Sequence, residues 1–179
     1  SLHCRDCSNL MQYYKNPQDC DSAKILAAIS TLCTAADEIN DLRVIGGEPL
    51  MNRKTPEIVA QLAEEPKVKR IAIYTNGTIL PSDAQLACYK NGKTIFFITN
   101  YGKLSRNLAA LEKTLKENGI PYYVHPAVGW TSCSGISHHA RGEAELRKVF
   151  QNCCAKNLLT LSDDKLYRCP FIANAARLK

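Results

Sequence analysis

The chain has 179 residues, 45% of them hydrophobic and 22% charged, with a formal net charge of +6. That length and balance suit one globular domain with a real core. No stretch approaches the length of a membrane span and no basic-then-apolar leader appears, so the expected location is cytoplasmic. Lysines and arginines are scattered through helix-like segments, the pattern of solvated faces rather than of a nucleic-acid footprint. The chain opens with Ser1 in place of Met, which suggests a fragment of a longer protein.

Residues 11–14 form a short aromatic run, broken by Asn16-Pro17. Asp21 and Ser22 are good caps for a helix carrying Ile25, Leu26, Ile29, Leu32, Cys33, Ala36 and Ile39 at helical spacing. A short strand is expected over residues 42–45. Thr55-Pro56-Glu57 then reads as a cap with proline at the first helical position, opening a helix through Leu62. Residues 68–74 read as the next strand and residues 81–89 as a shorter helix. Residues 94–98 make a nearly continuous apolar run, expected of a strand buried on both faces. A helix follows over 105–118, with Gly119 just past its end, then a strand from Pro121 to Val124. A long loop over 129–141 and a helix over 143–150 complete the periodic part.

Strand and helix alternate at spacings of roughly 25 residues, which predicts an α/β fold with parallel strands joined by crossovers. In such sheets ligands gather at the carboxyl ends of the strands. Three predicted ends are polar or glycine-rich: Gly46-Gly47, Thr75-Asn76-Gly77 and Thr99-Asn100. They converge on one mouth. At its first end two adjacent glycines admit a ligand's polar head to the backbone, since no Cβ stands in the way. Glu48 adds a carboxylate suited to an ammonium group, and Pro49 stops the ladder. A plain strand-to-helix turn is the alternative reading of that loop. Asn76 and Asn100 read equally well as ligand-binding amides or as self-satisfied turn residues.

Nine cysteines need a reason. A secreted disulfide scaffold would be shorter and poor in helix, so reduced thiols or metal ligands are expected. Cys33 and Cys88 sit among apolar neighbours and read as small core residues. Cys4-Arg5-Asp6-Cys7 places two thiols at C-x2-C spacing, suited to zinc or to an iron–sulfur cluster. A structural zinc site needs two further ligands, for which Cys20 and a distant thiol are candidates.

The C-x2-C pair followed by the Gly46-Gly47-Glu48-Pro49 loop resembles the radical S-adenosylmethionine superfamily. The resemblance implies a partial, open TIM-like β/α barrel, its first strand missing here, over residues 1–150. It implies a 4Fe-4S cluster held by a C-x3-C-x2-C motif. Cys4 and Cys7 match the last two cysteines, and the first would stand immediately before Ser1. A chain without that thiol is expected to be empty and inactive. The open iron of such a cluster chelates S-adenosylmethionine, and electron transfer yields a 5′-deoxyadenosyl radical that abstracts hydrogen from substrate. Gly46, Gly47, Glu48 and Pro49 would hold the methionyl end, with Asn76 and Asn100 near ribose or carboxylate. A flavodoxin or ferredoxin is the implied electron donor.

Residues 151–179 carry a second cysteine pattern. Cys154 precedes, and Cys169 follows, a predicted β-hairpin around Ser162-Asp163-Asp164. This resembles the start of the SPASM or twitch extension and implies a second iron–sulfur cluster with Cys154 and Cys169 as ligands. Cys153 is an equally placed alternative, and a redox-inert thiol pair is the bland reading. Enzymes with such extensions modify peptides or oxidise alcohols, so a peptide or small molecule is the expected substrate. Two rivals stand beside this oxidoreductase reading: a glycyl-radical-activating enzyme, and a zinc-stabilised binding module without catalysis. His138-His139 with Cys133, and Trp130 with Tyr13-Tyr14, are weaker candidates for a metal site and a pocket wall. The sequence singles out no catalytic residue.

Overall fold

A computed structural model describes residues 1–129 and 135–178. The chain divides into two compact units, one of Ser1–Leu2 with Asp19–Gly129, the other of His3–Gln18 with Trp130–Lys179.

In the first unit, β1 (Leu42–Val44), β2 (Ile71–Thr75), β3 (Thr94–Asn100) and β4 (Tyr122–Pro126) form one parallel sheet in that order. Helices α1 (Ser22–Ala35), α2 (Thr55–Glu64), α3 (Asp83–Tyr89) and α4 (Leu108–Glu117) alternate with the strands. This is the open, partial-barrel α/β architecture expected from the sequence.

Local chemistry sets the element boundaries. Asp21 caps α1 by accepting hydrogen bonds from the backbone of Ala23 and Lys24, at 2.9 and 3.2 Å. The helix stops at Ala35, short of the expected Ile39, because Lys67 Nζ donates to the carbonyls of Cys33 and Ala36 at 2.6 and 2.8 Å. Ile39 then joins Val68 in an isolated parallel bridge, so the second strand begins at Ile71 instead of Val68. Ser82 and Gln85 form a capping box that starts α3 two residues after Pro81. Thr55 does not cap α2. Its hydroxyl donates to the Pro49 carbonyl at 2.7 Å and ties the glycine-rich loop to the helix.

The sheet has two unlike faces. Ile71, Ile73, Phe96 and Ile98 are fully buried on the helix-packed face, where Tyr89 of α3 meets Phe96 edge-on with ring centroids 5.2 Å apart. The opposite face carries Tyr74, Phe97 and Tyr123 in one register row. Tyr74 and Phe97 stack at 5.0 Å, and Tyr123 tilts against Phe97 at 6.3 Å. The expectation that β3 is buried on both faces is corrected here: its residues alternate between buried and half-buried. An apolar run hides this alternation, because Ile95 and Phe97 are as hydrophobic as their buried neighbours.

The second unit holds α5 (Glu143–Gln151), an antiparallel hairpin of β5 (Thr160–Ser162) and β6 (Lys165–Tyr167), and α6 (Pro170–Ala175). Asp163 and Asp164 both have positive φ, 50° and 60°, as a two-residue type I′ turn requires. Among the described residues no helix is long and apolar enough to cross a membrane.

Candidate functional site

The glycine-rich loop leaves β1 at the carboxyl end of the sheet. Glu48 follows the two glycines and is only 6% exposed. Its Oε1 accepts from Thr75 Oγ1 at 2.8 Å and from the Leu50 backbone N–H at 3.2 Å. Its Oε2 accepts from the Asn76 backbone N–H at 2.9 Å. One carboxylate therefore stitches the end of β1 to the end of β2. Burial pushes its pKa upward, more than these hydrogen bonds draw it down. A carboxylate offers about four acceptor positions, and three are used inside the chain.

Ser105 performs the matching task one strand on. Its buried hydroxyl donates to the Asn76 carbonyl at 2.7 Å and accepts from the Tyr101 N–H at 2.9 Å. It also lies 3.2 Å from the Thr99 carbonyl. Asn107 adds a 2.7 Å bond from Nδ2 to the Thr78 carbonyl. The ends of β1, β2 and β3 are thus joined side chain to backbone, in the order Glu48, Asn76, Ser105. Neither Ser105 nor Asn107 stands out in the sequence, because a small polar residue near a helix start reads as an ordinary cap.

The two asparagines differ. Asn76 Oδ1 accepts from the Thr78 backbone at 3.1 Å and from its hydroxyl at 2.6 Å, while Nδ2 donates to Ser1 Oγ at 2.9 Å. Asn100 Oδ1 accepts from Gly102 N–H at 2.8 Å, and its Nδ2 has no partner among the described residues. Both oxygens close local turns. What remains for a ligand is the amide nitrogen of Asn100.

The glycines separate as clearly. A Cβ built on Gly46 meets nothing within 4 Å, and both Gly46 and Gly47 are exposed. Gly77 has φ +69°, and a Cβ there would lie 3.4 Å from Ile98 Cγ2 and from Ser105 Cβ. Those contacts are ordinary van der Waals distances, and it is the left-handed backbone that favours glycine at position 77. Gly46 leaves open space beside exposed backbone at the sheet's carboxyl end. On the half-buried face of the same end, Thr99 Oγ1 and His125 Nε2 lie 2.9 Å apart.

In the second unit, Cys4 and Cys7 flank the Arg5-Asp6 turn and are half-buried free thiols. Burial raises the pKa of Cys4, reinforced by the neighbouring Cys7. Gln12 Nε2 donates to the Arg5 carbonyl at 3.0 Å and pins the turn, while Gln12 Oε1 is buried with no hydrogen-bond donor among the described residues. Two thiols held across a pinned turn fit two positions of a cluster's thiolate set. Among the described residues no group of three or more His, Cys, Asp or Glu side chains is gathered to hold a metal ion.

Cys154 is exposed. Cys169 caps α6, its sulfur accepting from Ile172 N–H at 3.5 Å, and Cys153 Sγ accepts from Ala155 N–H at 3.4 Å. Cys20 is exposed and lies in the first unit. His139 pairs with Ser137 at 3.0 Å in an exposed loop. Trp130 and Cys133 lie outside the described residues.

The sequence pattern of the 4Fe-4S single cluster domain family matches residues 1–113, the span that holds Cys4, Cys7, the glycine-rich loop and Asn100. The chain belongs to that family. It is a radical S-adenosylmethionine protein. Its curated relatives agree. A GTP 3',8-cyclase of Clostridium acetobutylicum is 29% identical over 141 residues, covering 70% of this chain and 43% of that protein. A GTP 3',8-cyclase of Syntrophomonas wolfei is 32% identical over 148 residues, covering 72% and 43%. One from Stenotrophomonas maltophilia is 43% identical over 47 residues, covering 26% and 14%. The chain spans less than half the length of the curated relatives it matches. A radical S-adenosylmethionine protein of this family uses a 4Fe-4S cluster and S-adenosylmethionine as its cofactors.

Proposed function

We propose that this chain is the cofactor-binding part of an enzyme that cleaves S-adenosylmethionine reductively and removes a hydrogen atom from its substrate. The observation that carries the reading is the contrast at the glycine-rich loop, where buried Glu48 fixes the backbone and Gly46 beside it stays open. Cys4 and Cys7 would hold the cluster, and Gly46, Gly47, Glu48 and Pro49 would receive the methionyl end. The bound pair supplies one-electron cleavage of a sulfonium C–S bond, chemistry that side chains cannot perform.

The chain's own part is placement. Glu48, through Thr75 and Asn76, holds the exposed Gly46-Gly47 backbone at the carboxyl end of the sheet. Asn100 Nδ2 offers a donor to a ribose oxygen or a carboxylate. Tyr74 stacked on Phe97, with Tyr123 tilted against it, provides an apolar floor beside Thr99 and His125. A low-potential flavodoxin or ferredoxin is the proposed electron donor.

The names of the relatives support a purine nucleotide as substrate. The cysteine-bearing segment 151–179, read as an extension with Cys154 and Cys169 at a second cluster, supports a peptide or an alcohol. The test is anaerobic reconstitution with iron and sulfide, followed by S-adenosylmethionine and dithionite. Bound iron with 5′-deoxyadenosine as product supports the enzyme. Zinc without iron, and no cleavage, sinks it. Added GTP that raises the yield of 5′-deoxyadenosine favours the nucleotide, and no change with GTP favours the other substrate classes.

A further inference from the structure

The amino-terminal cysteine loop and the carboxyl-terminal hairpin belong to the same compact unit, although more than a hundred residues separate them. A continuous path runs forward from the thiols. Leu10 N–H donates to the Cys7 carbonyl at 2.9 Å, and Tyr13 N–H to Leu10 at 3.0 Å. Tyr14 N–H then donates to Met11 at 3.4 Å. Leu10 itself is fully buried, with φ of 54°, which fixes the chain direction at that step. Gln12 reaches back to the Arg5 carbonyl inside the cysteine loop.

At the end of this path Tyr14 is gripped from α6 and from the residue pair that follows it. Its hydroxyl donates to the Asn174 carbonyl at 3.0 Å, and the Arg177 guanidinium lies over its ring, 5.9 Å from the centroid. Arg177 Nε also bonds Asp163 Oδ2 at 3.0 Å, which ties the grip to the tip of the β5–β6 hairpin. Asn174 is anchored in turn, its Nδ2 donating to the Pro170 carbonyl at 2.8 Å. The only fully buried apolar side chains in this unit among the described residues are Leu10 and Ala173, so a large core does not hold the loop.

We propose that residues 159–178 form a clasp that sets the shape of the cysteine loop, with Tyr14, Asn174 and Arg177 as positioning residues for Cys4 and Cys7. The clasp rests on the reading of those thiols as cluster ligands. It gives the carboxyl-terminal segment a role that does not require a second cluster. It also explains why the grip falls on Tyr14: a long side chain seven residues beyond Cys7 lets the clasp act on the turn without occupying the space the thiols need.

The test follows thiol accessibility and cluster lability together, in the wild-type chain and in Tyr14→Phe, Arg177→Met and Arg177→Lys. In the iron-free chain, alkylation of Cys4 and Cys7, resolved by peptide mass spectrometry, is expected to quicken about fivefold in Tyr14→Phe and in Arg177→Met. Arg177→Lys keeps a cation over the ring and should return most of the protection. Cys33, buried in the first unit, and Cys153, half-buried in the second, should label at the wild-type rate throughout and report whether each unit remains folded. In the reconstituted chain, loss of the cluster's visible absorption to a chelator should quicken in the same order.

Unchanged labelling of Cys4 and Cys7 in Arg177→Met overturns the clasp. So does acceleration of Cys153 or Cys33 in step with them, because the effect is then general loosening of a unit. Failure of the ligand reading looks different. A Cys7→Ala chain that keeps wild-type iron and absorption removes the cluster from these thiols whatever the labelling shows.

Discussion

The two units hold still the two loops proposed to bind ligand, and they do so by opposite means. In the first, the Gly46-Gly47 loop is backed by a helix-packed sheet face with Ile71, Ile73, Phe96 and Ile98 fully buried. Glu48 and Ser105 lock three strand ends to one another. In the second, little apolar burial stands behind the cysteine loop, and Tyr14 farther along is tied to Asn174 and Arg177 by a hydrogen bond and a cation–ring contact. Leu146, Val149, Phe150, Leu159 and Ile172 of that unit are exposed. The difference teaches that a loop backed by a packed sheet face and by buried hydrogen bonds can be ordered by the chain alone. The cysteine loop, in a unit with so small a core, would draw part of its order from the metal proposed to bind there.

Removing iron is the most direct way to break the comparison. Chelation of the reconstituted protein should abolish hydrogen-exchange protection around residues 3–14 while the amides of β2 and β3 keep theirs. Equal loss in both units would show that they are one cooperative body.

Replacing Glu48 attacks the other side. Glu48→Ala strands Thr75 Oγ1 and two backbone N–H groups, and should lower the unfolding free energy of the first unit by about 3 kcal/mol in chemical denaturation. Its folded-state pKa lies above the ordinary value of 4.5, so the folded chain holds this proton more tightly than the unfolded chain. The Glu48 contribution to stability is therefore greatest at or below pH 4.5. It falls as pH rises toward the folded-state pKa and is level beyond it. Urea melts of wild type and Glu48→Gln across that range should show the difference shrinking upward in pH.

Ser105→Ala should cost about 1 kcal/mol, since it removes the hydroxyl that bonds the half-buried Asn76 carbonyl and Tyr101 N–H. The sharpest comparison lies between two glycines. Gly77→Ala should cost about 1–2 kcal/mol for its positive φ. Gly46→Ala should leave stability within about 0.5 kcal/mol, the range of a surface change, yet weaken S-adenosylmethionine binding by calorimetry. Equal affinity in Gly46→Ala and wild type would take the ligand away from that loop.

Much of the fold was legible in the residues. The alternation of strand and helix, the capping residues Asp21 and Ser82, and the polar strand ends all act through the nearest few residues, which sequence displays directly. The misread boundaries have non-local causes. Lys67 ends α1 from thirty residues away, and Thr55 bonds back to Pro49 instead of capping its helix. Of the site, the glycine-rich loop and the C-x2-C pair could be named from spacing. Ser105, Asn107 and the Thr99–His125 pair could not, because a hydroxyl or an imidazole in a loop carries no pattern of its own.

The sequence by itself determined which residues could do chemistry: two thiols at fixed spacing, two adjacent glycines, a carboxylate beside them. Spacing along the chain limits what a short loop can hold, and that limit needs no tertiary contact. Only the folded chain decided how those residues are employed. Glu48 became a buried strut because β2 brings Thr75 and Asn76 within hydrogen-bond reach of it. Tyr14 met Arg177 because His3–Gln18 folds into one unit with the carboxyl-terminal segment. Both outcomes depend on groups far apart in sequence arriving at one place, where burial makes an unpartnered charge or amide costly enough to fix the partner.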